Sequence, residues 1–227
     1  MILCYLILGT DMRIWTVTNQ KGGAGKTVLA TNLAVEGSAR GLKTLLIDLD
    51  PQQSATKWWE ARNANEPLLI KCPYNQVIEN LEAAKQQGFE LVIIDTAGRE
   101  GLIHTEAIDK ATFAIIPCQP SLDDCRSALP TVEIIKKSNT PFTFVITRCP
   151  TSGEDLQEAR NSLSAIGLVC NTPTYERKCY KRAYADNLSV KEYDSNDKGA
   201  GEISAIFEYI YSKEDRLGKT DLVNNER

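Results

Sequence analysis

Hydrophobic residues in this chain fall into short continuous runs separated by longer amphipathic stretches. Apolar, β-branched runs occur at Ile14–Thr18, Thr44–Leu49, Leu68–Lys71, Leu91–Asp95, Phe113–Pro117, Phe142–Thr147 and Leu168–Cys170. Most are continuously apolar, which suits strands buried on both faces of a parallel sheet; a half-solvated strand alternates. The stretches between them read as helices. Thr27–Arg40 sets Leu29, Leu33 and Gly37 on one face and should stop at Gly41. Val77–Gln87 should stop at Gly88 and Glu154–Ile166 at Gly167. Ser121–Ser138 carries Leu122, Leu129, Val132 and Ile135 at helical spacing, with Pro130 expected to kink it. Glu202–Tyr211 supplies a last helix. Alternation of this kind predicts an α/β fold, a doubly wound and mostly parallel sheet flanked by helices.

The ends of the chain read differently. Residues 1–11 are apolar but lack the basic start of a signal peptide, and Met12 opens a natural first strand. They are expected to be an upstream extension, the alternative being an extra edge strand or a dimer contact. The main domain then spans residues 12–211. Residues 212–227 are polar, with acids equal to bases, and read as a frayed helix end or a tail.

Composition narrows the chemistry. One histidine, His104, leaves little material for a multi-histidine metal site or a His-based triad, and a surface helix position is expected for it. Seven scattered cysteines without a CxxC pair fit reduced cytosolic thiols better than a disulfide framework. The formal net charge of −4 means that binding to a polyanion needs a local basic patch. No run of about 18 apolar residues exists to span a membrane.

The strongest signal is Lys21-Gly22-Gly23-Ala24-Gly25-Lys26-Thr27, between a strand and a helix. Glycines there let backbone N–H groups turn inward as an anion nest, and the helix start adds partial positive charge. That is the context of a phosphate-binding loop. Lys26 is expected on the β- and γ-phosphates of ATP and the Thr27 hydroxyl on Mg²⁺. Gln20 stands where the ordinary pattern has its first glycine, and Lys21 gives the loop a second cation. Two more strands end in carboxylates, at Asp48-Leu49-Asp50-Pro51-Gln52 and Asp95-Thr96-Ala97-Gly98. In an open parallel sheet all three segments meet at the carboxyl edge. Asp95 is expected to hold Mg²⁺, Asp50 to position the attacking water, and Asp48 to lie nearer the metal; strand-end capping is the alternative for any one of them alone. Trp58 and Trp59 follow on a helix, one expected in the core and the other there or at an interface.

Taken together, Asn19–Thr27, Asp48–Gln52 and Ile93-Ile94-Asp95 resemble the ParA/MinD superfamily of deviant Walker A ATPases. The resemblance runs from about Arg13 to Tyr211, includes Ile116–Ser121 and Ile146–Arg148, and looks nearest to the short ParF-like branch without a helix-turn-helix domain. It implies a Mg²⁺-dependent ATPase, slow and partner-stimulated, that forms a homodimer around two ATP molecules, with Lys21 reaching the partner's phosphates. It also implies non-specific DNA binding, a ParB-like centromere-binding partner, and a cytoplasmic, nucleoid-associated protein. Thr147 and Arg148 should lie near the adenine, although a buried strand end explains them equally well. Asp95-Thr96-Ala97-Gly98 departs from the double-proline version common in ParA proteins.

For DNA, the best patch is Arg177, Lys178, Lys181 and Arg182; on a helix the last three share a face. A solvated basic helix face is the alternative. A membrane-targeting helix would need large apolar residues that the polar end lacks, and nothing around Cys118 and Cys125 resembles a cluster-binding relative. Two rival readings share the motor or drop its turnover: positioning of a protein cargo on the nucleoid, or a nucleotide-gated scaffold.

Overall fold

The structure, a computed structural model, describes residues 12–98 and 103–224, with the backbone alone at 103, 104 and 218–224. The expected extension at 1–11 and the side chain of His104 lie outside the described residues. The elements run β1 (Arg13–Val17), α1 (Lys26–Ala39), β2 (Thr44–Asp48), α2 (Ser54–Glu60), β3 (Leu68–Lys71), a 3-10 turn at Tyr74–Gln76 and α3 (Val77–Gln86). They continue as β4 (Leu91–Asp95), α4 (Ile103–Asp109), β5 (Phe113–Cys118), α5 (Leu122–Ser127), α6 (Leu129–Lys137), β6 (Phe142–Ile146) and α7 (Asp155–Ser164). The chain closes with β7 (Leu168–Val169), α8 (Lys178–Ala185), α9 (Val190–Tyr193) and α10 (Lys198–Asn224).

The seven strands form one sheet in the order β3-β2-β4-β1-β5-β6-β7, and every pairing is parallel. Every residue of β2, β4 and β5 is buried, as the continuously apolar runs require, while the edge strand β3 is partly exposed. Side-chain alternation sends Trp15, Leu46, Leu91 and Ile93 to one face, against Leu29, Leu33 and Phe207 of α1 and α10. The opposite face packs on two groups, with Ile116, Phe144 and Ile135 on one side and Ile47, Val92 and Leu81 on the other.

Gly37 explains how closely α1 lies on the sheet. A Cβ there would stand 2.7 Å from Leu91 Cδ2 and 2.8 Å from Thr44 Oγ1. The long helix expected around Pro130 is two helices, α5 and α6, hinged at Ala128, with Pro130 in the first turn of α6 where its missing N–H costs nothing. Trp58 is buried with the Arg62 guanidinium 4.3 Å over its ring, and Trp59 donates its N–H to Pro67 O at 2.7 Å. Both tryptophans therefore pack within the chain.

The last helix does not stop at Tyr211, where its apolar pattern ends. It runs on to Asn224. Polar contacts hold the continuation: Glu214 and Asp215 pair with Arg13, and Trp15 Nε1 donates to Glu214 at 2.9 Å. Those partners lie some two hundred residues away, so no local pattern announces them.

Gly37→Val is expected to destabilise the protein by roughly 1–3 kcal/mol through overpacking. Urea unfolding should show a lower midpoint with an unchanged slope.

Candidate active site

The segment between β1 and α1 is a loop cradled on three sides. Asn19, buried at the end of β1, donates to Pro117 O at 2.7 Å and accepts from the Lys21 N–H at 3.0 Å. Gln119 Nε2 donates to Gly23 O at 3.0 Å, and Thr147 Oγ1 to Ala24 O at 2.9 Å. Gly23 and Gly25 take positive φ, 78° and 91°, a region side chains rarely enter. Gly25 is the N-cap of α1 and makes no side-chain cap bond. The first N–H groups of α1 therefore open toward the loop, ready for an anion. Gly22 and Gly23 are exposed at its rim, whereas Ala24 and Lys26 are buried. Gly98, after β4, is packed so closely that a Cβ would lie 3.1 Å from Gly22 Cα and 3.0 Å from Lys26 Nζ.

Lys26 Nζ donates back to Lys21 O at 3.0 Å, holding the loop closed around its own cation. Burial lowers its pKa, opposed by the charges of Asp95 and Asp50. Asp95, at the end of β4, is fully buried, and neither oxygen has a hydrogen-bond partner among the described residues. Burial pushes its carboxyl up to about 8; the Thr27 hydroxyl and Lys26 pull it down, and Asp48 and Asp50 add to the rise. Thr27 lies within its field without completing a hydrogen bond. A buried carboxylate with two orphaned oxygens next to a hydroxyl is a donor set suited to a hard divalent cation.

Asp48 and Asp50 divide the work on the neighbouring strand end. Asp48 is buried with both oxygens engaged: Oδ1 accepts from the Asp50 N–H at 3.0 Å, and Oδ2 from the Thr56 N–H at 2.8 Å and its hydroxyl at 2.7 Å. It thus braces the turn that carries Asp50 and starts α2, on the strand next to Asp95 and in register with it. Asp50 is half-buried and accepts from the Gln52 N–H at 2.9 Å.

Lys21 is the second cation of the loop. Its ammonium lies 2.9 Å from Asp124 Oδ1, within the same chain. Asp124 belongs to α5, where the Ser121 hydroxyl also donates to its carboxylate. Oδ1 makes no hydrogen bond, so its contact with Lys21 is a charge pair at 2.9 Å and not an aligned donor. Nothing local in the sequence couples these two positions.

Beside Gly25 opens a cavity of about 390 Å³, lined by Val28, Thr147, Arg148, Tyr175, Tyr180 and Tyr184 among others. Arg148 sits at φ 52° and donates its N–H to Thr174 Oγ1 at 3.2 Å. The expected basic patch divides here. Lys178, Lys181 and Arg182 are exposed on α8, whose Cys179 and Ala183 are buried. Arg177 turns inward instead, with Nε 2.5 Å from Glu202 Oε1 and its guanidinium 5.1 Å from the Tyr175 ring. A buried acid 25 residues downstream captures it. The six described cysteines are buried and free, and no described group of three or more His, Cys, Asp or Glu side chains could hold a metal. No described helix is long and apolar enough to cross a membrane.

A buried, unpartnered charge costs stability. Asp95→Asn is thus expected to stabilise the nucleotide-free protein by roughly 1–3 kcal/mol. The native carboxyl, at about 8, holds its proton more tightly than the unfolded one. Wild-type stability from this group therefore falls as pH rises from about 4 to about 8. The advantage of the asparagine variant should be absent near the lower limit and complete above the upper one, read by denaturant titration at several pH values.

Comparison with known proteins identifies the family of this fold. The CobQ/CobB/MinD/ParA nucleotide binding domain matches residues 15–191. The sporulation initiation inhibitor protein Soj of Bacillus subtilis is 30% identical, over 82% of this chain and 89% of its own. The maintenance of carboxysome distribution protein A of Gloeobacter kilaueensis is 29% identical, over 90% of this chain and 94% of its own. Among solved structures, the septum site-determining protein MinD of Pyrococcus horikoshii, complexed with Mg-ADP, superposes with a TM-score of 0.74 at 16% identity, covering 88% of this chain and 96% of that one. The chain belongs to the CobQ/CobB/MinD/ParA nucleotide-binding family, as a P-loop ATPase of the ParA/MinD type.

Proposed function

We propose that this protein is a Mg²⁺-dependent ATPase that dimerises around ATP, binds DNA without sequence preference and drives plasmid or chromosome partition with a ParB-like partner. The observation that carries it is Asp95, buried and unpartnered beneath a loop holding Lys26. The exposed glycine rim and the uncapped start of α1 would take the phosphates, with Lys26 on the β- and γ-groups. Thr27 and Asp95 would hold Mg²⁺, with Asp48 behind them; the ion neutralises charge on the transferring phosphoryl group. Asp50, held at the surface by Asp48, is the residue to orient the attacking water. Thr147 and Arg148 border the cavity beside Gly25, which fits an adenine.

Lys21 is the trans-acting cation in this reading. To reach a partner's nucleotide it must leave Asp124. Exchange of one anionic partner for a more highly charged one makes dimerisation depend on the γ-phosphate. Lys178, Lys181 and Arg182 supply the cations that meet DNA phosphates, doubled by a two-fold axis. A ParB-like partner, cytoplasmic location and nucleoid association follow from the same reading. The similarity to carboxysome-distribution proteins over nearly the whole chain favours a second reading, in which the same motor positions a protein cargo.

Three outcomes are expected. Filter binding should show DNA retained with ATP and Mg²⁺ but released with ADP, and not retained at all by Lys26→Ala; equal retention with ATP, ADP and no nucleotide would defeat the proposal. Replacing Lys178, Lys181 and Arg182 together by alanine should weaken binding by about tenfold or more and reduce the slope of log K against log salt by roughly 0.9 for each phosphate that is no longer neutralised. Asp124→Asn should release Lys21, so that light scattering reports the ATP-dependent dimer at an ATP concentration about threefold lower or less, in keeping with a partly exposed ion pair.

A further inference from the structure

Glu202 is a carboxylate in an expensive place. It lies in the first turns of α10 at 7% exposure, and burial of an ionised acid has to be offset by donors. Three are present. The Tyr175 N–H reaches Oε2 at 3.1 Å, Arg177 Nε reaches Oε1 at 2.5 Å, and the Tyr180 hydroxyl reaches Oε2 at 3.0 Å. All three donors belong to residues that line the cavity beside Gly25. A carboxylate that served only to anchor α10 would have no reason to draw its partners from one cavity wall.

Local packing makes this approach possible. At Gly199, one turn before Glu202, a Cβ would stand 2.7 Å from Cys179 Sγ and 3.4 Å from the Tyr180 ring. The glycine lets the start of α10 lie directly on α8. Glu202 in turn pins the segment entering α8: backbone at Tyr175, side chain at Arg177, ring at Tyr180. The tyrosine hydroxyl is held above its ordinary pKa by burial and by the acid, so it stays a donor. Tyr175, Tyr180 and Tyr184 line the cavity together with Val28, at a volume suited to a small planar ligand.

We propose that Glu202 is a positioning residue for the nucleotide base: by fixing Tyr175, Arg177 and Tyr180 as one wall, it sets the affinity for the purine ring without touching the phosphates. This rests on the reading of the cavity as the base site of an ATPase. The loop that would take phosphate is built from β1, α1, β4 and β5, none of which Glu202 contacts through a hydrogen bond.

Calorimetric titration of Mg-ATP and of Mg-tripolyphosphate, which lacks the base, tests the assignment. Wild type should bind ATP more tightly than tripolyphosphate; if it does not, the base-site reading itself fails before any variant is made. Glu202→Gln should weaken ATP by about tenfold or more, the scale of one charged hydrogen bond, and leave tripolyphosphate within about twofold. KM for ATP should rise while kcat at saturation holds. Tyr180→Phe, which keeps the ring and removes one donor, should weaken ATP by about threefold on the scale of a neutral hydrogen bond and serves should the glutamine variant not fold. Equal weakening of both ligands, or unchanged ATP affinity in both variants, overturns the proposal.

Discussion

Burial of the Asp95 carboxylate without a partner is the constraint around which the molecule is arranged. β4 lies between β1 and β2, and its last residue is enclosed by the ends of both. A charge there is unfavourable until something of opposite sign arrives. Lys26 is the available cation, yet its ammonium is held on Lys21 O. The site is thus kept incomplete by its own hydrogen bonds. In the proposed function, stability given up at one strand end is what a divalent ion would restore.

Around that point each neighbour has a positional task. Asp48 uses all of its burial to brace the Asp50 turn and the start of α2. Gly98 brings the chain after β4 against Gly22, where a side chain would push the loop away. Asn19, Gln119 and Thr147 tie the loop to β5 and β6. Lys21 alone among the charged loop residues points to another element, α5, and is held there by a single ion pair. Asp124 is buried and Lys21 only partly exposed, so parting them leaves a buried acid to be compensated by its remaining donor, the Ser121 hydroxyl.

Much of this was legible in the chain because it is local. All seven strands lie within about one residue of the apolar runs that announce them, most plainly β2, β4 and β5, which are buried on both faces. The loop from Lys21 to Thr27 was legible for a similar reason: glycine spacing, a strand before and a helix after. What escaped is long-range. Asp124 and Lys21, Glu202 and Arg177, and Glu214 and Arg13 meet only because the fold brings them together. Arg177 reads as one more cation of a basic patch until a buried acid claims it. Asp48 reads as a metal neighbour, and only the fold shows that Thr56 also gives it two donors. In each case residue type set the candidates and tertiary partners chose among them.

The placement of α8 connects the two ends of the proposed function. Its inner side faces the cavity beside Gly25 through Tyr180, and its outer side carries Lys178, Lys181 and Arg182. Lys181 does both, being exposed and at the rim of the cavity. On the proposed reading, a base entering the cavity would change the surroundings of the helix that presents the cations. Only a ligand with different affinity for two arrangements of α8 can shift their populations. Glu202 limits what those arrangements are, because it holds the segment entering α8 from Tyr175 through Tyr180 to α10. Three donors on one carboxylate leave that segment little freedom to adjust by side chains alone. On the proposed reading of the cavity, the buried acid is therefore the contact through which the base site and the basic face share one helix.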